Sequence, residues 1–182
     1  SVRDLAVLAR HLIEDFPEFY PLFAETQFEF DGRAPSNINN RNPLLNMGIG
    51  ADGLKTGHTN EAGYGLVGSA KQGDRRVIFV ISGLDSERAR AEEAGAIVNW
   101  SFRQFAEKTV AKAGEPIAEA EVWMGREQTV SLVAPDDLEI LLPVLSSGPL
   151  TAEVVYRGPI EAPIEQGQQL AELVITPEEL PE

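Results

Sequence analysis

Lys55, Thr56, Gly57 and His58 follow one another just ahead of a segment spaced with glycines at 63, 65 and 68. An ammonium, a hydroxyl and a backbone without a side chain lie side by side there, an edge suited to receiving an anion. The same three letters Lys-Thr-Gly also describe a plain strand end carrying one solvated lysine. Arg90 is a further cation of interest. It precedes Ala94 by four residues and Ile97 by seven, so it lies within about 20° to 40° of their apolar stripe on a helix turning about 100° per residue. It should not point straight to solvent, whereas Arg88, about 120° from Ala94, should. The structural alternative for Arg90 is a salt bridge to Glu93 or to another carboxylate at the edge of the layer. His11 falls off the apolar stripe of its own helix and reads as a surface residue. With two histidines far apart and no cysteine, the chain offers neither a histidine metal cluster nor a thiolate nucleophile, and no cofactor is expected.

The elements that would position these groups follow from periodicity. Ser1 and Asp4 form a capping-box-like start to a helix with Val2, Leu5, Ala6, Ala9, Leu12, Ile13 and Phe16 at helical spacing, ending near Asp15 before Pro17. Thr26 to Phe30 alternates like a short strand, and residues 35–43, with four asparagines, read as a loop rich in local turn chemistry. Tyr64 to Ala70 and the unalternating apolar run Arg76 to Ile81 flank a polar turn at 71–74. This predicts an antiparallel hairpin whose second strand is covered on both faces. The glycines at 63, 65 and 68 imply a close approach by a backbone, a packed helix or a ligand. Asp85-Ser86-Glu87 caps a second helix with Ala94, Ile97, Val98, Phe102 and Phe105 as its buried stripe. From Ala120 short strands alternate with turn signals: Glu121 to Met124, Thr129 to Val133, Leu138 to Leu142, Thr151 to Tyr156 and Gln169 to Ile175. The fold class is therefore α+β, an antiparallel sheet between helical layers followed by a small all-β sandwich.

The chain has 182 residues and a net charge of −14, unevenly distributed. Through Lys112 there are 13 basic and 15 acidic residues, and from Ala113 onward 2 basic and 14 acidic. Such a second part repels nucleic acid and anionic lipid surfaces. The break, at Ala113-Gly114-Glu115-Pro116, predicts domains of 1–112 and 113–182. No stretch is long and apolar enough to span a membrane, and residues 177–182 read as a linker.

Together, Ser1-Val2-Arg3-Asp4-Leu5-Ala6, Asn40-Arg41-Asn42-Pro43-Leu44-Leu45, Gly53-Leu54-Lys55-Thr56-Gly57-His58-Thr59, Ala62-Gly63-Tyr64, and Arg90 with Glu93, Trp100 and Phe102 carry a resemblance. The chain resembles the later part of a low-molecular-mass penicillin-binding protein, a serine D-alanyl-D-alanine carboxypeptidase of the bacterial envelope. That resemblance implies a penicillin-binding transpeptidase or β-lactamase-like domain, a stem peptide ending in D-Ala-D-Ala as substrate, β-lactams as ligands and a periplasmic location. It implies catalytic roles for Lys55 and for the backbone N–H of His58, and contacts to the substrate carboxylate from Thr56 and Arg90, with Gly57 in the same edge. No Ser-x-x-Lys and no Ser-x-Asn occurs in the chain. In the family both precede the position of Ser1, so the resemblance implies an inactive fragment whose partner is the preceding part of the same protein. A C-terminal membrane anchor would follow Glu182. A serine β-lactamase relative and a non-catalytic envelope scaffold are the alternatives.

Overall fold

The computed structural model describes residues 1–30, 37–145 and 149–177. The chain divides into two compact units, Ser1–Phe102 and Arg103–Glu182.

In the first unit, helix α1 (Val2–Asp15) begins with the expected capping box. Ser1 Oγ accepts from the Asp4 N–H at 3.4 Å, and Asp4 Oδ2 accepts back from the Ser1 nitrogen at 2.7 Å. Strands β1 (Ala51–Thr59), β2 (Gly63–Gln72) and β3 (Arg75–Leu84) form an antiparallel meander in the order β1-β2-β3, and helix α2 (Glu87–Gln104) follows. The pleat sends alternate residues to opposite faces. Val67 and Ile78 meet Ala9, Leu12 and Ile13 of α1, while Leu66, Ala70, Phe79 and Ile81 meet Ala94 and Val98 of α2. Helices therefore cover both faces, as the unalternating run in β3 requires. Leu44, Leu66 and Val98 are fully buried, and each such side chain contributes about 1.5–3 kcal/mol. At Gly68 an added Cβ would sit 2.4 Å from the Phe79 ring. The space left by that glycine is filled from the neighbouring strand, not by a ligand.

The second unit is all β: β4 (Phe105–Ala111), β5 (Pro116–Trp123), β6 (Thr129–Val133), β7 (Leu138–Pro143), β8 (Leu150–Tyr156), β9 (Ile160–Glu161) and β10 (Ala171–Pro177). They pair as β4-β7, β10-β8 and β6-β5-β9, the last with a parallel contact between β5 and β9. Ala120, Leu132 and Ile160 form the core, with Val154, Tyr156 and Leu170 against it.

Three sequence expectations need correction. Thr26 to Phe30 is no strand: it holds one isolated bridge, Gln27 to Asn39, and Phe28 and Phe30 are exposed, so neither face is buried. Phe105 is not on the stripe of α2, because α2 ends at Gln104 and Phe105 opens β4 opposite Pro143. The units accordingly divide after Phe102, ten residues ahead of the charge break. Residues 31–36, 146–148 and 178–182, which include part of the asparagine loop and most of the tail, lie outside the described residues.

Candidate active site

The Lys55-Thr56-Gly57-His58 segment forms the second half of β1. Its start is fixed by side chains distant in sequence. Buried Asn42 donates from Nδ2 to the Gly53 carbonyl at 2.9 Å, while its Oδ1 accepts from the Leu44 N–H at 3.1 Å. Asn40 donates to the Glu25 carbonyl at 2.9 Å and accepts from the Asn42 N–H at 3.0 Å. Asn40 and Asn42 do turn chemistry, as expected, and Asn42 also braces β1. Asp52 takes a two-point salt bridge from Arg76 of β3 (2.8 and 2.7 Å) and a hydrogen bond from the Tyr20 hydroxyl (2.8 Å). Arg76 also donates to Ser69 of β2 at 2.6 Å, so one guanidinium ties all three strands together. Burial pushes the Tyr20 phenol up to about 12.

Beyond this anchor β1 opens. Lys55 is exposed and donates from Nζ to the Thr56 carbonyl at 2.5 Å, whereas Thr56 is only 8 % exposed. Nothing lies within 4 Å of a Cβ placed on Gly57, so the backbone there is open to an approaching chain. These residues line a groove of about 440 Å³ whose other wall carries Val2, Leu5 and Leu8 of α1, all substantially exposed. An exposed ammonium and an accessible strand edge beside apolar walls can hold an extended peptide with an anionic end.

Arg90 is not in that groove lining. It is 4 % exposed, donates from one terminal nitrogen to the Arg41 carbonyl at 3.3 Å, and lies 4.0 Å from Glu87. Its carboxylate neighbour is therefore Glu87, not Glu93, and its Nε has no hydrogen-bond partner among the described residues. Arg88 has a side chain 86 % exposed, as expected. The link between Arg90 and β1 is Tyr64, which the sequence places in the Ala62-Gly63-Tyr64 motif without assigning it a role. The guanidinium stands 5.7 Å from the Tyr64 ring centroid, and that ring stacks on the His58 imidazole at 4.0 Å. Its position opposite His58 in the β1-β2 hairpin was the available signal. His11 bonds Asp15 at 2.8 Å on the outer face of α1, away from these groups. No group of three or more metal-ligating side chains occurs among the described residues.

Residues 1–86 match the D-alanyl-D-alanine carboxypeptidase family, and residues 105–179 match the C-terminal domain of penicillin-binding protein 5. The chain is 35 % identical to the D-alanyl-D-alanine carboxypeptidase DacD of Salmonella typhimurium over 95 % of its own length and 44 % of the relative's. It is 37 % identical to DacC of Escherichia coli, over 92 % of this chain and 42 % of that one. Penicillin-binding protein 5 from Haemophilus influenzae superposes with a TM-score of 0.84 at 33 % identity, covering 98 % of this chain and 52 % of the other. The chain thus spans less than half the length of the curated relatives it matches.

Proposed function

Since the chain belongs to the low-molecular-mass penicillin-binding proteins of the D-alanyl-D-alanine carboxypeptidase family, we propose that it supplies the substrate-binding edge of such an enzyme. The parent protein removes the terminal D-alanine from peptidoglycan stem peptides and is acylated by penicillins, in the bacterial periplasm. The observation that carries this reading is the open strand at Gly57, with Lys55 exposed beside it and Arg90 held, through Tyr64, at the same end of the sheet.

The residues then divide the work. A serine outside this chain attacks the penultimate D-alanine carbonyl, an ester forms as the peptide C–N bond breaks, and water later hydrolyses that ester. Lys55 provides positive charge and a proton-carrying amine beside the reacting centre. Thr56 donates its hydroxyl to the terminal carboxylate, and Arg90 adds a charge-assisted contact to the same anion. Gly57 leaves room for the substrate backbone. The His58 N–H points its dipole at the developing oxyanion, a contribution of about 3 kcal/mol to the barrier for donors of this kind. The imidazole itself is not a base in this scheme. The match of residues 105–179 to the C-terminal domain of penicillin-binding protein 5 favours the carboxypeptidase over a β-lactamase, whose usual architecture ends after the closing helix.

The test has two arms. The full-length protein carrying this chain is incubated with a D-Ala-D-Ala pentapeptide, and released D-alanine is measured for wild type and Lys55→Ala. Release by wild type and its loss in the variant support the reading, and an inert wild type that also ignores penicillin supports the scaffold alternative. In the second arm residues 1–182 alone meet a labelled penicillin. No covalent adduct is expected, because the chain contains no Ser-x-x-Lys, and a stoichiometric adduct on any of its serines would overturn the assignment of roles.

A further inference from the structure

Tyr64 sits at the start of β2, directly opposite His58 of β1 and opposite Leu84 of β3. It shares its side of the sheet with Leu66, two residues on, which packs against α2. From there its half-buried ring touches two groups that come from different elements. The His58 imidazole lies over it at 4.0 Å between centroids with planes 32° apart, and the Arg90 guanidinium carbon stands 5.7 Å from its centroid.

Arg90 has few other restraints. One long hydrogen bond to the Arg41 carbonyl and one carboxylate at 4.0 Å engage its terminal nitrogen, and Nε is buried without a partner. A guanidinium with so many donors unspent needs something to hold its plane, and an aromatic quadrupole does this without consuming a donor. The same ring, by stacking on His58, ties that orientation to the end of β1.

We propose that Tyr64 is a positioning residue that sets Arg90 relative to β1 and thereby tunes recognition of a substrate carboxylate. The proposal rests on the carboxypeptidase reading above. It assigns the effect to the ring and not to the hydroxyl, for which no hydrogen bond is seen among the described residues.

The experiment compares kcat/KM of the full-length protein on a D-Ala-D-Ala peptide with a free carboxylate, for wild type, Tyr64→Leu, Tyr64→Phe, and each with Arg90→Ala. Tyr64→Leu keeps apolar bulk without the quadrupole, and a loss of about fivefold to twentyfold is expected. Tyr64→Phe should restore the rate to within about twofold, and Tyr64→Leu should cost no more than about twofold once Arg90 is already alanine. Should Tyr64→Leu fail to fold, Tyr64→Met carries the same comparison. Equal losses with and without Arg90, or a phenylalanine variant as damaged as the leucine one, overturn the inference. An active wild type with an unaffected Tyr64→Leu rejects this inference alone, whereas an inert wild type rejects the carboxypeptidase reading beneath it.

Discussion

Arg90 shows how far spacing reaches at the scale of a single residue. Its offset from Ala94 and Ile97 predicted a side chain held off solvent, and it is 4 % exposed, while Arg88 two residues earlier is free on the surface save for Glu92 at 3.7 Å. Spacing could not choose between Glu87 and Glu93, both three residues away, nor find Tyr64, which meets Arg90 only through the sheet. In the full-length protein Arg90→Ala should lose about 1.5–3 kcal/mol of transition-state stabilisation on a free-carboxylate peptide, with Arg88→Ala nearly silent. The loss should largely vanish on an ester-blocked analogue, and equal losses on both substrates would show a structural ion pair instead. Tyr20 carries no local signal of its role, because its partners Asp52 and Arg76 lie 32 and 56 residues away. Its raised phenol makes a pH prediction. The folded state holds the proton up to about 12, whereas an unfolded tyrosine releases it near pH 10. The stabilisation is therefore complete below about pH 10 and lost as pH rises toward 12, by about 2–3 kcal/mol. Chemical denaturation across pH 9 to 12 should show this slope in wild type and its flattening in Tyr20→Phe, which should also lose about 1 kcal/mol at neutral pH with the Asp52 hydrogen bond. Parallel slopes in both proteins would assign the alkaline loss to other groups.

Among the elements, those with strong local signals were legible: α1 through its cap and stripe, the β2-β3 hairpin through its turn, and α2 through Ser86, whose Oγ accepts from the Ala89 N–H at 3.0 Å. Strand β4 was not. Phe105 continues the apolar spacing of α2, and its segment becomes a strand only because Leu138–Pro143 pairs with it from 27 (Ala111 to Leu138) to 38 (Phe105 to Pro143) residues away. Charge marked the division at Ala113 because acidic residues accumulate after it, but pairing sets the division after Phe102. This difference has a measurable consequence. A protein ended after Ala113 keeps Phe105–Ala111 while losing β7, and so exposes an unpaired strand with a ready edge. A protein ended after Gln104 keeps all of α2 and no orphan strand. Size-exclusion chromatography at rising concentration should show the first associating and the second remaining at its starting mass. The same profile for both would mean that the Phe105–Ala111 edge is protected in some other way.

At the scale of the whole molecule, the two units differ in the chemistry they can perform. The exposed lysine, the open strand and the buried arginine all belong to the first, while the second, Arg103–Glu182, holds 5 basic and 15 acidic residues and no metal-ligating cluster among its described residues. A surface of that sign repels anionic lipid, and we propose support or partner docking as the work of this unit. Residues 105–179 match the C-terminal domain of penicillin-binding protein 5, and fold alone does not assign it a reaction. If it acts as a pedestal, small soluble substrates should not notice its removal. A full-length protein ended after Gln104, shown to be folded by its thermal transition, should hydrolyse short D-alanyl-D-alanine peptides within a few-fold of the intact enzyme. Its activity on polymeric or membrane-proximal peptidoglycan should fall further, because those substrates must be reached as well as bound. A folded truncation that loses a hundredfold or more on the soluble peptide would mean that the β unit helps to build the site, and Lys55, Thr56 and Arg90 would then depend on contacts from beyond their own unit.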